Sequence, residues 1–420
     1  MTAAGESGLT VSYLLGTTAG GTGRHVVMLV GGCAARGARV TVYGPAAALG
    51  RLSRDRGAAS AGHGDAGPGG APHGVAGRAA GDPPAWVSCP VEIAERPRLA
   101  SDAAAVRRLR RLLARDMPDV LHAHGMRAGA VAALALAGSP ARRTALAVTV
   151  HNAPPAGGAA AAVYAGLELI VARRADAVLT VSGDLADRMR RRGARDAGRA
   201  LVPAPQAVPP SPRDAEAVRR ELGSAGRPVV LAVGRLTAQK GFTTLIEAAA
   251  RWQRRDTGPL SSAPALDSAV PLLVIAGEGP QDALLRGQAR AGGVAVEFLG
   301  ARGDVPTLLG AADVVVVPST WEGQPLIVQE ALRAGRPLVA SRVGGIPDLT
   351  GEDGAVLVPP GDPALLAAAV AGVLDAPEAR EKLAAAALGR AALLPTETAA
   401  VDQALSLYRR LAGPARTGLR

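Results

Sequence analysis

Aromatic side chains make up only 2% of this 420-residue chain, which carries 3 Trp, 4 Tyr and 2 Phe. That scarcity argues against a nucleic-acid partner in spite of a formal charge of +11, because bases bind by stacking on planar side chains. Cysteine is as rare: Cys33 and Cys89 are too few for a disulfide framework, and neither sits in a nucleophile motif. No apolar run approaches the roughly 20 residues of a membrane span, and the N-terminus lacks the charged-then-apolar pattern of a signal peptide. A cytoplasmic protein is the expectation. Lysine is nearly missing too, Lys240 and Lys382 being the only two among 47 basic residues. A lysine in so arginine-rich a chain is not explained by composition.

What is present is an alternation of short apolar runs with helical stretches. Runs at 11–15, 40–43, 120–122, 145–150 and 177–181 read as buried parallel strands, and the pattern restarts at Val229. With 420 residues the chain exceeds one ordinary domain, so two parallel-sheet halves are expected. The boundaries read as an N-terminal Rossmann-like domain over 1–205, a Pro-rich linker over 206–227, a C-terminal Rossmann-like domain over 228–395, and a terminal helix with a short tail over 396–420. Residues 56–84 and 257–270 lack an apolar period and read as surface insertions; His63 and His73 within the first fit no metal-ligand spacing.

The most informative stretch runs from Val317 to Ala331. It reads as an apolar strand, a loop carrying an exposed acid, Glu322, then a helix opened by Pro325 with a second acid, Glu330, about one and a half turns in. Such a junction offers free backbone N–H groups and a positive dipole end, here from Gly323, Gln324, Pro325, Leu326 and Ile327, to a phosphate or sugar oxygen. An ionised carboxylate can accept from two vicinal hydroxyls at once, as on a ribose or hexose. Upstream, the strand run 228–234 ends at Gly234 and is followed by Arg235 and Lys240, a planar fork and a point charge suited to a diphosphate. By residue type alone, a surface acid pair and solvated loop cations fit as well.

The segments Val233-Gly234-Arg235-Leu236 with Lys240-Gly241, Ile275 to Pro280, Phe298-Leu299-Gly300, the Glu322 and Glu330 pair and Gly344 to Asp348 follow one another in an order and spacing that resembles the retaining glycosyltransferases of family 4. The strand ends at His122 and His124, at His151 and at Ser182 resemble the N-terminal half of that family less strongly. Two departures are the segment Pro203 to Pro210, where relatives often carry Asn-Gly-Val-Asp, and Asp348 in place of Glu.

The resemblance implies a GT-B fold, two Rossmann-like domains facing a central cleft, with the terminal helix packing back on the N-terminal half. It implies transfer of a hexose or N-acetylhexosamine from a nucleotide sugar, UDP more than GDP, to a hydroxyl acceptor, with retention. It implies catalytic roles for Arg235, Lys240, Glu322 and His151, donor contacts from Gly234, Glu330, the 323–327 loop and the glycine-rich loop at Gly20 and Gly21, and an acceptor-side place for His124. Inositol phosphate, a lipid-linked sugar, a phosphoinositide or a small secondary metabolite are the acceptors left open. No cofactor or metal is expected, because no Asp-x-Asp pair is present and the two cations can balance the diphosphate. A non-enzymatic sugar-nucleotide-binding scaffold of the same fold and a sugar-nucleotide epimerase are the alternatives.

The basic charge concentrates on helices. Arg107, Arg108, Arg110, Arg111 and Arg115 alternate with Val106, Leu109, Leu112 and Leu113 at helical spacing, an amphipathic pattern that fits a solvated helix first and, as the alternative, peripheral contact with anionic lipid at the inner face of the membrane.

Overall fold

The computed structural model describes residues 8–16, 21–52, 86–94, 98–155, 157–205, 211–224, 226–254 and 270–413. The chain divides into two compact units, one formed by Met1–Val202 with Glu397–Arg420 and the other by Pro203–Thr396. Each is a parallel sheet flanked by helices, the fold class expected from the strand pattern.

The first unit contains β1 (Thr10–Leu15), β2 (Arg39–Gly44), β3 (Val87–Pro90), β4 (Val120–His124), β5 (Ala145–Val150), β6 (Ala177–Thr180) and β7 (Ala197–Arg199), in the order β3-β2-β1-β4-β5-β6-β7. β4 and β5 are buried throughout, which is why they read as unbroken apolar runs and not as alternating ones. The terminal helix Glu397–Ala412 lies in this unit, with Val401, Leu405 and Tyr408 in the same core as Val26, Val30 and Cys33 of the helix Gly21–Ala35. Val401 closes over Gly32, where a Cβ would stand 2.4 Å from the valine methyl.

A buried polar chain crosses that core. The Tyr13 hydroxyl is 3.4 Å from Cys33 Sγ, Tyr408 donates to the Tyr13 oxygen at 3.0 Å, and the Tyr408 oxygen is 2.5 Å from His122 Nδ1. His122 Nε2 lies 2.7 Å from Thr149 Oγ1. His122 is therefore a satisfied core histidine that ties the terminal helix to β4 and β5.

The second unit contains β8 (Val229–Val233), β9 (Leu272–Ala276), β10 (Val296–Phe298), β11 (Val314–Val317), β12 (Leu338–Ser341) and β13 (Val356–Val358), in the order β10-β9-β8-β11-β12-β13. One core, including Phe242, Leu245 and Trp252, covers one face of this sheet; a second, including Val328, Ala331 and Leu332, covers the other.

The linker expected at 206–227 is corrected in part. Residues 206–210 lie outside the described residues, but Pro212–Glu221 is a helix that buries Val218 and Leu222 in the core of the second unit. The signal was Ser211-Pro212-Arg213-Asp214: Ser211 Oγ accepts from the Asp214 N–H while the Asp214 carboxylate accepts from the Ser211 N–H, and proline occupies the first turn. The expected insertions lie almost wholly in 53–85 and 255–269, which with His63 and His73 are outside the described residues.

Candidate active site

In each sheet the chain runs outward in both directions from its first strand. Loops leaving the two neighbouring strands at such a reversal diverge and open a crevice at the carboxyl edge of the sheet. In the second unit the reversal falls between β8 and β11, and the loops after these strands carry Lys240 and Glu322.

These loops are sewn together. The Thr320 N–H donates to the Gln239 carbonyl at 2.8 Å, and Gln239 Nε2 donates to the Trp321 carbonyl at 2.9 Å. Lys240 Nζ donates to Glu322 Oε1 at 2.6 Å, and Ser319 Oγ donates to the same oxygen at 2.6 Å. Glu322 is only 4% exposed, which corrects the expectation of an exposed loop acid. A carboxylate at that depth needs a countercharge and donors, and Lys240 with Ser319 supplies them.

Two glycines explain why the loop can fold so deeply. Gly344 has φ +50°, and a Cβ there would stand 1.8 Å from the Glu322 carbonyl oxygen; Gly241 has φ +66°, and a Cβ would stand 2.0 Å from the Pro318 oxygen. Backbone approaches backbone at both places, which only glycine allows. Next to Gly344, the Gly345 N–H donates to the Glu322 carbonyl at 3.1 Å. With the ion pair closed, the crevice among Val233, Lys240, Phe242, Ser319, Glu322 and Ile327 keeps about 10 Å³, the space of one water.

Arg235 is exposed at the end of β8, so the two expected cations differ: one faces solvent and the other is engaged by a carboxylate. Gly234, half-buried, lies beneath the Lys240 stem, and a Cβ there would meet Lys240 Cδ at 3.6 Å, an ordinary contact. Gly323 is buried and Gln324 half-buried. Pro325, with φ −64° and ψ 125°, caps the helix Leu326–Arg333 instead of opening it, so the first helical N–H groups belong to Leu326 and Ile327. Glu330 is half-buried in the second turn. The helix is anchored from behind: Gln329 Oε1 accepts from the Ala204 N–H at 2.9 Å, and Arg333 donates to the Ala204 carbonyl at 2.6 Å and the Pro395 carbonyl at 3.4 Å. Ser319 was not assigned a role from sequence; its place three residues before an acid in a strand-to-helix loop was the available signal.

The first unit has its own reversal, between β1 and β4. Gly20 lies outside the described residues, and Gly21 opens the helix Gly21–Ala35. Here His25, His124 and His151 gather, with ring centroids 5.9 Å apart for His25 and His124, 5.8 Å for His25 and His151, and 5.4 Å for His124 and His151. His124 Nδ1 is 3.1 Å from His151 Nε2. His25 Nδ1 and His124 Nε2 are buried with no hydrogen-bond partner among the described residues. His25 escaped the sequence reading; its position one turn into the helix after the glycine-rich loop was the signal.

Burial keeps this cluster neutral. It pushes His151 down to about 4 and, with the cost of a second charge beside His151, His122 down to about 3. His25 and His124 are driven well below the usual histidine range, first by burial and then by the other histidines. Neutral imidazoles can hold sugar hydroxyls as donor or acceptor. Among the described residues, no three His, Cys, Asp or Glu side chains converge so as to hold a metal ion.

Two family models match the chain side by side: a glycosyl transferase 4-like domain over residues 20–205 and glycosyl transferases group 1 over residues 227–376. Among curated proteins, the chain is 33% identical over 253 residues to an alpha-D-kanosaminyltransferase of Streptomyces kanamyceticus, covering 57% of this chain and 61% of that one. It is 35% identical over 268 residues to a 2-deoxystreptamine N-acetyl-D-glucosaminyltransferase of Streptomyces fradiae, covering 61% of this chain and 60% of that one. The matched region thus spans about three fifths of these relatives. Among solved structures, Anabaena HepE in complex with UDP and glucose aligns with TM-score 0.72 at 19% identity, over 96% of this chain and 100% of that one. The fold is of GT-B type.

Proposed function

We propose that this protein is a retaining glycosyltransferase that moves a hexose or N-acetylhexosamine from a nucleoside diphosphate sugar, UDP in particular, to a hydroxyl acceptor without a divalent metal. The observation that carries this reading is the Lys240, Glu322 and Ser319 cluster at the reversal between β8 and β11, beside exposed Arg235 and the start of the helix Leu326–Arg333. The family models, the named transferase relatives and the UDP complex of HepE support it.

In this mechanism Glu330 accepts the ribose hydroxyls, while Arg235 and Lys240 take the diphosphate. Negative charge grows on the β-phosphate as the glycosidic bond breaks, and cations fixed beforehand stabilise that state more than the ground state. Lys240 must turn from Glu322 toward the phosphate or be shared between them. Glu322 with the 323–327 backbone then faces the sugar. His151, neutral, contacts the donor sugar, His124 stands on the acceptor side, and a donor phosphate oxygen takes the acceptor proton on the face the leaving group vacates.

The test is a thermal-shift panel with UDP, GDP and ADP in excess EDTA, on the wild type and Glu330→Ala. A ligand at about 100 times its Kd contributes about 2.7 kcal/mol to native-state stability. UDP is expected to stabilise the wild type and not the variant. Stabilisation by none of the three would remove the transferase reading. Turnover assays then begin with 2-deoxystreptamine and inositol phosphate, for each of which two relatives are named. NMR of the anomeric configuration tests retention, with inversion excluding it.

A further inference from the structure

The helix Gly158–Arg174 of the first unit buries its acid beside Val171 and Ala172 and turns a second apolar face outward. Its single acid, Glu168, is 1% exposed and held by Arg188 Nη2 at 3.0 Å and Arg192 Nε at 3.2 Å. Its outward face is apolar: Ala159, Ala162, Val163, Gly166 and Leu169 follow one another at helical spacing, with Val163 45% and Leu169 37% exposed, and the face ends at exposed Arg173 and Arg174. Water-soluble helices place these groups the other way round.

The neighbouring helix Met126–Leu136 exposes Leu134 at 46%, and between the two helices runs a groove of about 260 Å³. Apolar atoms of Ala133, Leu134, Leu169 and Ile170 line it, and Arg173 and Arg174 stand at one end. On the other flank, Arg110 of the helix Leu99–Asp116 donates to the Leu134, Ala135 and Ala137 carbonyls, joining the three helices into one layer. Arg107, Arg108 and Arg111 are exposed on that helix. Every acid of the three helices is already engaged, Asp102 by Arg127, Asp116 by Arg115 and Tyr43, and Glu168 as above. The outward charge of the layer is therefore cationic, around an apolar groove.

We propose that this layer docks on an anionic phospholipid bilayer, with headgroup phosphates on Arg173 and Arg174 and acyl carbons against Leu134, Leu169 and Ile170. An apolar strip edged by arginine matches an interface in which anionic headgroups border hydrocarbon. A second copy of the chain fits worse, since a two-fold contact would bring the same arginine-edged patch against itself. Nucleic acid lacks the hydrocarbon the groove would cover. The site is independent of the sugar-nucleotide reading.

The experiment is co-sedimentation of the full chain with phosphatidylcholine vesicles and with mixed phosphatidylcholine and phosphatidylglycerol vesicles, in low salt. Wild type is expected to sediment with the mixed vesicles only. Arg173→Glu/Arg174→Glu lowers partitioning by roughly fivefold or more per arginine, and Leu169→Asp lowers it through the groove. Arg251→Glu/Arg290→Glu makes the same charge change on exposed helical positions of the other unit and is expected to retain binding. Thermal midpoints show that each variant is folded. No binding to mixed vesicles, equal loss in the control pair, or unchanged binding in Leu169→Asp overturns the proposal. So does a concentration-dependent dimer that Leu169→Asp dissolves, which would assign the face to a second copy.

Discussion

Lys240 is the residue at which composition, geometry and chemistry meet. Only one other lysine exists in the chain, and this one holds a buried carboxylate at 2.6 Å where two loops diverge. If it stabilises the leaving diphosphate, Lys240→Ala raises the activation barrier by about 2.7–4 kcal/mol, the scale of one lost transition-state donor. Steady-state kinetics checks this, and a rate near wild type would remove Lys240 from the mechanism. Gly234 separates ligand approach from folding. The nearest atoms a Cβ there would meet are Lys240 and Phe242 carbons at 3.6 to 3.7 Å, ordinary contacts, so Gly234→Ala is expected to leave the urea midpoint nearly unchanged. A drop in UDP affinity in calorimetry would then report a phosphate lying against that backbone, and unchanged affinity would take Gly234 out of the donor site. At this scale the sequence was a partial guide. It named Lys240 and Glu322, but the burial of Glu322 depends on how two distant glycines let the backbone close, which no local pattern expresses.

Among the elements, the loop after β11 is shaped by pieces far from it in sequence. Gly344, in the loop after β12, rests on the Glu322 carbonyl, so adding one methyl group must displace the loop that presents the carboxylate. Gly344→Ala is expected to cost at least about 1–3 kcal/mol, the range for a side chain forced into an unfavourable backbone region, and to weaken nucleotide binding with it. Gly303→Ala, where a Cβ would meet nothing within 4 Å, is the matched control and should stay within about 0.5 kcal/mol. Equal urea midpoints for the two variants would mean that the contact at Glu322 does not constrain the loop. The parallel strands were legible because burial on both faces leaves continuous apolar runs such as Val314–Val317. The helix Pro212–Glu221 was obscured by the prolines around it, although its capping box was already written in Ser211 and Asp214.

At the scale of the whole molecule, the histidines couple stability to pH. The chain has six, and His25, His122, His124 and His151 are gathered in the first unit in neutral form. His124 and His151 were legible at strand ends, whereas their meeting with His25, and that of His122 with Tyr408 of the last helix, arises only from the tertiary fold. Above pH 6.5 folded and unfolded chains both carry these rings neutral, and the cluster adds no pH dependence. Below 6.5 the unfolded chain takes up protons that the folded chain refuses until its lowered values are reached, about 4 for His151 and about 3 for His122. Stability therefore falls with pH through the window from about 6.5 to about 4, by about 1.4 kcal/mol per pH unit for each such histidine. Urea unfolding at pH 8, 7, 6 and 5 reads this slope directly. His25→Leu removes one of the titrating rings, one whose Nδ1 has no partner among the described residues, and is expected to flatten the slope by about one proton. A stability profile flat from pH 7 to 5 would mean that the folded cluster accepts protons as readily as the unfolded chain does, and that its neutrality is not enforced by burial.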